Sequence, residues 1–493
     1  MRIVQTFWSG KKPDPLRSYY GWAAPKYHWL GWILSSNQLI KYYDEVELYT
    51  DRQGYDILIN KLKLPYTKVH VGLDELNTYD SDLWALPKIY TYSLQDEPFL
   101  HVDGDVFVWE RFPDDLLTSP LIAQNLERET KHYKKMLEGL NKHILFYPPE
   151  IQEEFDKGET VKMYNMGITG GNNIAFFKEY VKKAFDFVDK NAPVLDKICR
   201  FNFNIFFEQL LFYCLAQKEN REVGCLIKKV LEDSGYGYKD LGAFEEVPLR
   251  RTYLHLLGDF KRNVNICRNM ETYILHEYPE YLERLSKLMP KTFTYLNGNE
   301  NLFSLKKLSD KEILSSFYEV AIQQEKTIVA PMPNQIDNEF LNAYVKNQSP
   351  SSTYLLGRDV ASKIGCHTFL KITEQKEDFL LYKLQENAMV EVDFMEKISP
   401  LAVNNSTKVD LVSDACVVLV CEIDGHTSEY IIDEIDQVIL EELEKPIRYS
   451  EFLDKMLQYV DMENPENTVG DFIMLMNNRL HDLIAKKVIA LKI

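Results

Sequence analysis

The sequence of residues 99–108 is Phe-Leu-His-Val-Asp-Gly-Asp-Val-Phe-Val, an apolar run interrupted by the two carboxylates of Asp103 and Asp105. Side chains two residues apart in an extended segment point to the same side, so these carboxylates can converge on one cation. Without a counterion they would repel each other, and one would be pushed towards protonation. A hard divalent cation removes that conflict, and Mg²⁺ and Mn²⁺ both bind oxygen ligands. The stretch therefore predicts a buried strand that ends at a metal site.

Metals held by carboxylates commonly bind phosphate groups, so the Asp pair indicates a nucleotide-diphosphate ligand. A short Asp-x-Asp is a weak pattern by itself, because the chain has a second one at Asp80 and Asp82. The context separates the two motifs, since apolar segments suited to a buried strand flank the pair at Asp103 and Asp105.

The first 260 residues alternate between strand-like and helix-like segments. Runs rich in β-forming residues occur at 3–7, 45–50 and 121–123, and apolar residues at helical spacing occur at 29–43 and 83–94. This alternation predicts an α/β layer with a mostly parallel sheet.

Ligands of such sheets bind at the carboxyl ends of the strands. Asp51 and Asp103 both follow a predicted strand. Their positions fit a nucleotide pocket, although Asp51 fits an ordinary turn residue equally well.

Composition sets the broad class of the protein. A chain of 493 residues is too long for one core and predicts two or three domains. Hydrophobic residues make up 45% and charged residues 27%, as in globular proteins that are soluble. No run approaches the ~18 apolar residues of a membrane span. The seven cysteines are scattered without metal or disulfide spacing, which favours the cytoplasm.

The net charge of −18 is unevenly distributed along the chain. Residues 331–493 contain 28 acidic and 15 basic residues, so the final third carries most of the negative charge. Nucleic-acid binding needs a basic footprint, and this part of the chain lacks one.

Two polar segments follow the Asp pair. Residues 164–173 combine glycines with amides and include Asn165 and Gly167. Glycine lets the backbone approach a ligand closely, but this composition also suits a turn before a helix. Glu208 and Gln209 lie in an apolar helical run, and a buried Glu requires a partner. We expect this second pair to be functional or part of a polar network.

His255 and Lys261 complete the series of polar residues. A neutral imidazole can complete a divalent site begun by carboxylates. A Lys can neutralise a leaving phosphate. A lone His is usually structural, yet one that follows a strand-borne Asp pair and precedes a Lys by six residues indicates a metal ligand.

The order of these motifs resembles nucleotide-sugar glycosyltransferases of the GT-A fold, foremost the glycogenin and bacterial galactosyltransferase branch. The shared order is Asp-x-Asp after a strand, Asn-x-Gly, an acid followed by Gln, and His-x-x-Gly-x-x-Lys. The resemblance covers residues 1–265 and implies an α/β GT-A (Rossmann-like) mixed sheet with flanking helices. It also implies Mn²⁺ or Mg²⁺ as cofactor, a nucleotide-diphosphate sugar (foremost a UDP-sugar) as donor, and hexosyl transfer with retention of configuration.

The resemblance implies roles for individual residues. The expected metal ligands are Asp103, Asp105 and His255. Residues expected to bind the donor are Thr6, Asp51, Lys88, Asp103, Gly104, Asn165, Gly167, Gly258 and Lys261. Glu208 and Gln209 are the expected catalytic residues.

The role of Glu208 depends on the stereochemistry of the reaction. In an inverting enzyme a carboxylate takes the proton of the acceptor, and Glu208 is the candidate. In a retaining enzyme the departing phosphate can take that proton, and Glu208 with Gln209 would position the sugar. The residues alone leave both possibilities open.

The last part of the chain has the pattern of a separate module. Residues 266–360 are expected to be a helical extension and linker, and 361–493 an α+β domain. Its core at 405–493 has the pattern of a winged-helix domain, with short strands predicted at 408–411, 415–423 and 429–432, a turn at 424–425, and three helices after them. It resembles PqqD-like domains, which bind the leader segments of ribosomally made peptides by strand addition. A packing or dimerisation domain is the alternative.

Two classes of function follow. The first is a metal-dependent glycosyltransferase whose acceptor is a peptide or protein recruited by the C-terminal domain, or else a cell-surface polysaccharide or lipid-linked glycan. The second is a non-catalytic peptide-binding or scaffold protein of a peptide-modifying complex. In both, we expect no nucleic-acid partner and no transmembrane segment, and homo-oligomerisation stays open.

Overall fold

The structure is a computed structural model that describes residues 1–128, 131–158, 161–230, 240–296, 308–314, 352–375, 379–383, 387–391, 416–421, 427–443, 445–460 and 468–492. The chain divides into two compact units, Met1–Met270 and Glu271–Ile493. The strand predicted at 408–411 and the turn predicted at 424–425 lie outside the described residues.

A seven-stranded sheet and a separate pair of short strands form the centre of the first unit. The nine strands in chain order are β1 (Arg2–Phe7), β2 (Val46–Thr50), β3 (Lys68–Val71), β4 (Phe99–Val102), β5 (Val106–Val108), β6 (Leu121–Arg128), β7 (Lys162–Gly171), β8 (Val223–Cys225) and β9 (Tyr253–His255). The order across the large sheet is β3-β2-β1-β4-β7-β6-β8, while β5 pairs with β9. Strands β3, β2, β1 and β4 are parallel, β7 is antiparallel to both neighbours, and β8 is parallel to β6.

Helices connect these strands. They are α1 (Pro25–Tyr42), α2 (Arg52–Tyr55), α3 (Leu86–Ser93), α4 (Asp114–Leu117), α5 (Lys131–Leu140), α6 (Pro149–Asp156), α7 (Ile174–Asn191), α8 (Arg200–Ile205) and α9 (Leu211–Lys218). A π-helical turn, Phe206–Leu210, joins α8 to α9, and another, Asp56–Lys61, continues α2. Short 3₁₀ turns are Pro15–Arg17, Leu73–Thr78, Ala192–Val194, Phe244–Glu246 and Gly258–Arg262.

Both faces of the sheet are buried. Phe99 of β4 belongs to one apolar cluster, whereas Leu100 and Val102 belong to another, because successive side chains of a strand point to opposite faces. Leu121 and Ile122 of β6 divide in the same way. A mostly parallel sheet requires such covering on both faces. The predicted α/β class is confirmed, and the mixed sheet with flanking helices is the arrangement expected of a GT-A-like fold.

Local sequence signals set the starts of three helices. Pro25 occupies the first position of α1, where a missing N–H costs nothing. The side chain of Asn173 accepts a hydrogen bond from the backbone N–H of Phe176 and caps α7. Asp51 caps α2 in the same way by accepting from the N–H of Gly54 at 2.8 Å.

The second unit combines helices with two small antiparallel sheets. Helices α10 (Val264–Glu277), which begins in the first unit, and α11 (Pro279–Leu288) precede a 3₁₀ turn, Thr294–Leu296. The later elements are α12 (Ser352–Gln375), β10 (Leu380–Lys383), β11 (Asn387–Glu391), β12 (Cys416–Cys421), β13 (Thr427–Ile432), α13 (Glu434–Glu442), β14 (Ile447–Arg448), α14 (Tyr449–Leu457), α15 (Val469–Ala485) and β15 (Ile489–Lys492). The sheet orders are β14-β10-β15 and β11-β12-β13.

The expected strands at 415–423 and 429–432 correspond to β12 and β13, which pair antiparallel. The three helices expected after them correspond to α13, α14 and α15. The resemblance to a peptide-recognition domain stays a prediction. Within the described residues, no helix is both long and apolar enough to cross a membrane.

Candidate metal centre

The backbone brings the Asp-x-Asp motif against β9. Strand β4 ends at Val102, and a turn closed by the bond from Val106 N–H to the Asp103 carbonyl (3.1 Å) leads into β5. Val106 then pairs with His255 in the antiparallel β5–β9 register. The N–H of Leu256 donates to the carbonyl of Asp105 at 3.0 Å. These bonds place both carboxylates beside the imidazole at the carboxyl end of β4.

The three predicted metal ligands form one cluster. A ligand atom from each of Asp103, Asp105 and His255 lies within 4.8 Å of the other two. Asp105 and His255 are buried, and Asp103 is half-buried. The Nε2 atom of His255 lies 3.6 Å from Oδ1 of Asp105. This grouping has the size and the donor set of a divalent cation site.

The hydrogen bonding of His255 fits a metal ligand. Its Nδ1 lies 2.6 Å from Oε1 of Gln124, whose own amide group donates to Oδ1 of Asn125 at 3.0 Å. Gln124 therefore accepts, and the imidazole proton resides on Nδ1. Burial lowers the pKa of His255 to about 4, more than the neighbouring Asp105 raises it, so the ring is neutral at pH 7. Its Nε2 lone pair then faces a carboxylate, an arrangement that a cation between them would stabilise.

Two glycines permit this packing. A Cβ on Gly167 would lie 2.6 Å from Oε1 of Gln124 and would also overlap the ring of His255. A Cβ on Gly104 would lie 2.7 Å from the indole of Trp32. Both positions therefore require glycine for close approach within the protein, and their predicted contacts with a donor stay predictions.

Two lysines neutralise the carboxylates. Lys261, on the 3₁₀ turn Gly258–Arg262, pairs with Oδ2 of Asp105. Lys88 of α3 donates to both oxygens of Asp103, at 3.2 and 3.0 Å. Burial raises the pKa of Asp103 to about 6 despite Lys88. Burial acts in the same direction on Asp105, but Lys261 and His255 outweigh it and hold the pKa of Asp105 below its ordinary value.

Glu208 and Asp103 both pair with the ammonium group of Lys88. It lies in the π-helical turn Phe206–Leu210, is fully buried, and pairs through Oε1 with the ammonium group of Lys88. Its Oε2 has no hydrogen-bond partner among the described residues. Burial raises the pKa of Glu208 to about 7, against the opposite effect of Lys88. Gln209 follows in the same turn and is half-buried.

The other predicted site residues have contacts within the protein. The Asn165 amide donates to Oε1 of Glu127 at 3.0 Å and accepts from the N–H of Gly167 at 3.1 Å, so it holds the backbone beneath His255. Thr6 donates to the hydroxyl of Thr91 at 2.9 Å.

Asp51 and Gly258 serve local backbone structure. Besides capping α2, Asp51 accepts from the backbone N–H of Ser9 at 2.9 Å, so both of its oxygens are used within the fold. This is the turn role that the sequence left open, and a donor contact stays a prediction. Gly258 has a φ of +51° and begins the turn that carries Lys261.

Gln124 is a residue of the site that the sequence analysis missed. It accepts hydrogen bonds from both Nδ1 of His255 and the hydroxyl of Tyr253, each at 2.6 Å. The available signal was the pair of amides, Gln124 and Asn125, inside a strand that otherwise begins with apolar residues. Fully buried amides of this kind need partners, and here the partner is a metal-ligand candidate.

Replacing Gln124 by Leu is expected to weaken Mn²⁺ binding by about 10- to 100-fold, because Nδ1 of His255 loses its acceptor. Gln124→Glu keeps an acceptor at the same place and should bind Mn²⁺ more tightly than Gln124→Leu. Isothermal titration with Mn²⁺ measures both affinities, and thermal unfolding checks that the variants fold. Equal affinity of Gln124→Leu and the wild type would show that His255 needs no such support.

The fold and this cluster define an α/β protein with a candidate metal centre at the carboxyl end of the central strand β4. The chain belongs to a family of unknown function (DUF6734), whose model matches residues 1–288. No curated protein matches the chain.

Two similar solved structures are both of the galactosyltransferase LgtC. One is an active-site mutant of that protein, with 12% sequence identity and a TM-score of 0.25. The other is a complex of the galactosyltransferase with donor and acceptor sugar analogues, with 13% identity and a TM-score of 0.24. Each match covers 42% of this chain and 70% of the other.

Proposed function

We propose that the protein is a metal-dependent glycosyltransferase that moves a hexosyl group from a nucleotide-diphosphate donor, foremost a UDP-sugar, to an acceptor, with retention of configuration. The observation that carries this proposal is the cluster of Asp103, Asp105 and His255, with Lys261 beside it. The order of these residues along the chain is that of the GT-A glycosyltransferases. The mixed sheet and the position of the cluster at the end of β4 support the same interpretation.

The three ligands would hold Mn²⁺ or Mg²⁺. Such an ion, when bound, stabilises the negative charge of a departing diphosphate. The charges of the surrounding side chains favour a bound divalent cation. Three carboxylates (Asp103, Asp105 and Glu208) face two ammonium groups (Lys88 and Lys261), which leaves one negative charge in excess when all are ionised. A divalent cation reverses the sign, so the loaded site attracts an anionic donor.

Lys261 is proposed to act on the leaving group. Its side chain is partly exposed, unlike the buried Lys88, and its turn is tied to the segment before α1 by the bond from Ala23 N–H to the Lys261 carbonyl at 2.8 Å. With the charge of Asp105 balanced by a bound ion, the Lys261 ammonium group would be free to pair with a phosphate oxygen. There it would stabilise the charge that grows as the glycosyl–phosphate bond breaks.

The burial of Glu208 supports a positioning role. A general base must reach the proton that it removes, yet this carboxylate is fully buried and one of its oxygens is taken by Lys88. Glu208 would then orient Lys88, and through it Asp103, while the departing phosphate takes the proton of the acceptor. This division of roles is the one expected for retention.

The acceptor is proposed as a peptide bound by residues 405–493 or as a glycan. The peptide proposal rests on the resemblance of that segment to peptide-recognition domains. The location is proposed to be the cytoplasm, in line with the scattered cysteines. A non-catalytic binding protein would need neither a metal nor Lys261 at the cluster.

A screen of nucleotide sugars tests the proposal. The full chain is incubated with UDP-, GDP- and ADP-sugars, with Mn²⁺ or with EDTA, and donor hydrolysis and thermal stabilisation are measured. We expect at least one donor to raise the unfolding temperature and to be cleaved with Mn²⁺, and EDTA to remove both effects. If no nucleotide sugar stabilises or is cleaved, or if EDTA changes nothing, the protein is not a metal-dependent glycosyltransferase.

A further inference from the structure

We infer that Trp84 and Phe201 form a platform for the acceptor and that the acceptor presents a sugar ring there. This inference rests on the proposed function and chooses a glycan over a peptide at the point of transfer. The platform lies in the first unit, between the end of the loop before α3 and the first turn of α8.

The exposure of Trp84 sets it apart from the other tryptophans. The chain has six Trp residues, all within the described part. Trp84 is 41% exposed, whereas the other five are at most 8% exposed: Trp8, Trp22, Trp29, Trp32 and Trp109. Phe201 is 50% exposed, and its ring centroid lies 6.2 Å from that of Trp84 at an interplanar angle of 42°. Two neighbouring aromatic rings are therefore each partly exposed to a ligand.

A buried amide holds the platform in place. Asn204 is fully buried, and its Oδ1 accepts from the backbone N–H of Ala85 at 2.9 Å. Its Nδ2 donates to the carbonyls of Asp82 (2.8 Å) and Arg200 (2.7 Å). Arg200 also pairs with Asp80 through Nε at 3.0 Å. The second Asp-x-Asp of the sequence thus fastens the loop that carries Trp84 to the helix that carries Phe201.

The platform adjoins the metal centre through Lys88. The ammonium nitrogen of Lys88 lies 5.6 Å from the ring centroid of Trp84 and 3.0 Å from Oδ2 of Asp103. One cation therefore contacts both the aromatic face and a metal-ligand candidate. The Lys88 side chain therefore links the aromatic platform to the candidate metal centre.

The chemistry of this surface matches a carbohydrate. The C–H face of a pyranose packs against the electron-rich face of an aromatic ring. The exposed Asp82 and the partly exposed Arg200 provide an acceptor and planar donors for hydroxyl groups at the rim. A peptide bound by strand addition would instead need free backbone groups to pair with. Here the N–H of Ala85 and the carbonyls of Asp82 and Arg200 are already bonded to Asn204.

The transfer step needs only the donor and the acceptor. A hydroxyl oxygen of the acceptor sugar forms a bond to the anomeric carbon of the donor, and the bond from that carbon to the phosphate oxygen breaks. The electron pair leaves with the nucleoside diphosphate. The hydroxyl proton passes to the same diphosphate, so no oxidant, reductant or further reactant is needed.

The test uses the full chain with Mn²⁺, the donor that it cleaves, and two acceptor panels. One panel holds methyl and p-nitrophenyl hexopyranosides, and the other holds basic and neutral peptides. We expect transfer to a glycoside, and a KM for that glycoside at least about tenfold higher in Trp84→Ala and Phe201→Ala, as for a lost aromatic contact. Trp84→Tyr should recover part of the loss, and the ratio of transfer to hydrolysis should fall in both alanine variants.

Leu145→Ala is the matched control, because Leu145 is an exposed apolar residue (61%) of the first unit outside the platform. Tryptophan fluorescence gives a second readout, since a glycoside on the platform should shift the emission of the wild type but not of Trp84→Phe. Donor cleavage with transfer to peptides alone, or an equal KM in Trp84→Ala and Leu145→Ala, would overturn the inference. Absence of any donor cleavage would instead reject the glycosyltransferase proposal beneath it.

Discussion

The double variant Asp103→Asn/Asp105→Asn is expected to lose Mn²⁺ binding and to cleave the donor at least about a thousandfold more slowly than the wild type. Asparagine keeps the volume of each side chain but removes both charges from a cluster that has one other ligand, the neutral His255. Without the two carboxylates, the cluster no longer offsets the loss of water by a divalent ion. Mn²⁺ titration and the initial rate of donor hydrolysis measure the two losses.

The fold should survive this change. Lys261 is partly exposed and can be solvated, and Lys88 keeps its contact with Glu208. The matched control is Asp114→Asn/Asp115→Asn, which removes the same two charges from an exposed helix, α4. It should bind Mn²⁺ as the wild type does. Wild-type Mn²⁺ affinity in the Asp103/Asp105 variant would show that the cluster is not the metal centre.

Replacing Lys88 by Met should lower the free energy of unfolding by roughly 3 kcal/mol at pH 8, because the buried Glu208 and the half-buried Asp103 lose the ammonium group that they share. Met fills a similar volume, so the effect comes from charge. Lys88 is buried and contacts Asp103 and Glu208 directly. Urea unfolding at pH 8 measures the loss.

The loss should shrink as the pH falls. Burial raises the folded-state pKa of Glu208 to about 7, above its ordinary value of 4.5, while Lys88 opposes the rise. The folded chain therefore binds more protons than the unfolded chain between these values, and the unfolding free energy falls as the pH rises through that range. Without Lys88 the pKa of Glu208 rises further, so the unfolding free energy falls more as the pH rises. At pH 5.5 protonated Glu208 needs no cation, and Lys88→Met should be closer to the wild type.

The double variant Lys88→Met/Glu208→Gln provides the control. It removes one of the two carboxylates that pair with the Lys88 ammonium group in the wild type. It should therefore recover part of the stability at pH 8, and its stability should depend less on pH than that of Lys88→Met. An equal loss at pH 5.5 and pH 8, with no recovery in the double variant, would mean that Lys88 acts through packing alone.

The cluster of candidate metal ligands was predictable because each of its residues lies in a local pattern. An apolar strand before Asp103 and the spacing from His255 to Lys261 can be read from a few neighbouring residues, and the structure places these side chains together. The strands around them follow from runs of β-forming residues in the same way. The predicted strand at 45–50, for example, corresponds to β2, Val46–Thr50.

The supports of the site were not predictable because they depend on contacts between distant segments. Gln124 meets His255 across 131 positions, and Asn204 meets Ala85 across 119. Pairings between residues so far apart leave no periodic pattern in the sequence. The contact of Gly167 with the ring of His255 and the amide of Gln124 is likewise not visible in the sequence, and its expected contact with the donor stays a prediction. In the second unit, the four-residue strands β10 and β15 are too short for a pattern, and their pairing with each other defines them.

The β5–β9 pair links the candidate metal centre to the folding of the first unit. Asp105 and His255 are 150 positions apart in the sequence, and β6, β7 and β8 of the large sheet lie between them. Closing a loop of this length costs entropy that grows with its logarithm, and contacts between such distant residues form slowly. An ion held by the two residues would close this loop and add its binding energy to the folded state. Mn²⁺ affinity would then also be a measure of whether the first unit has folded.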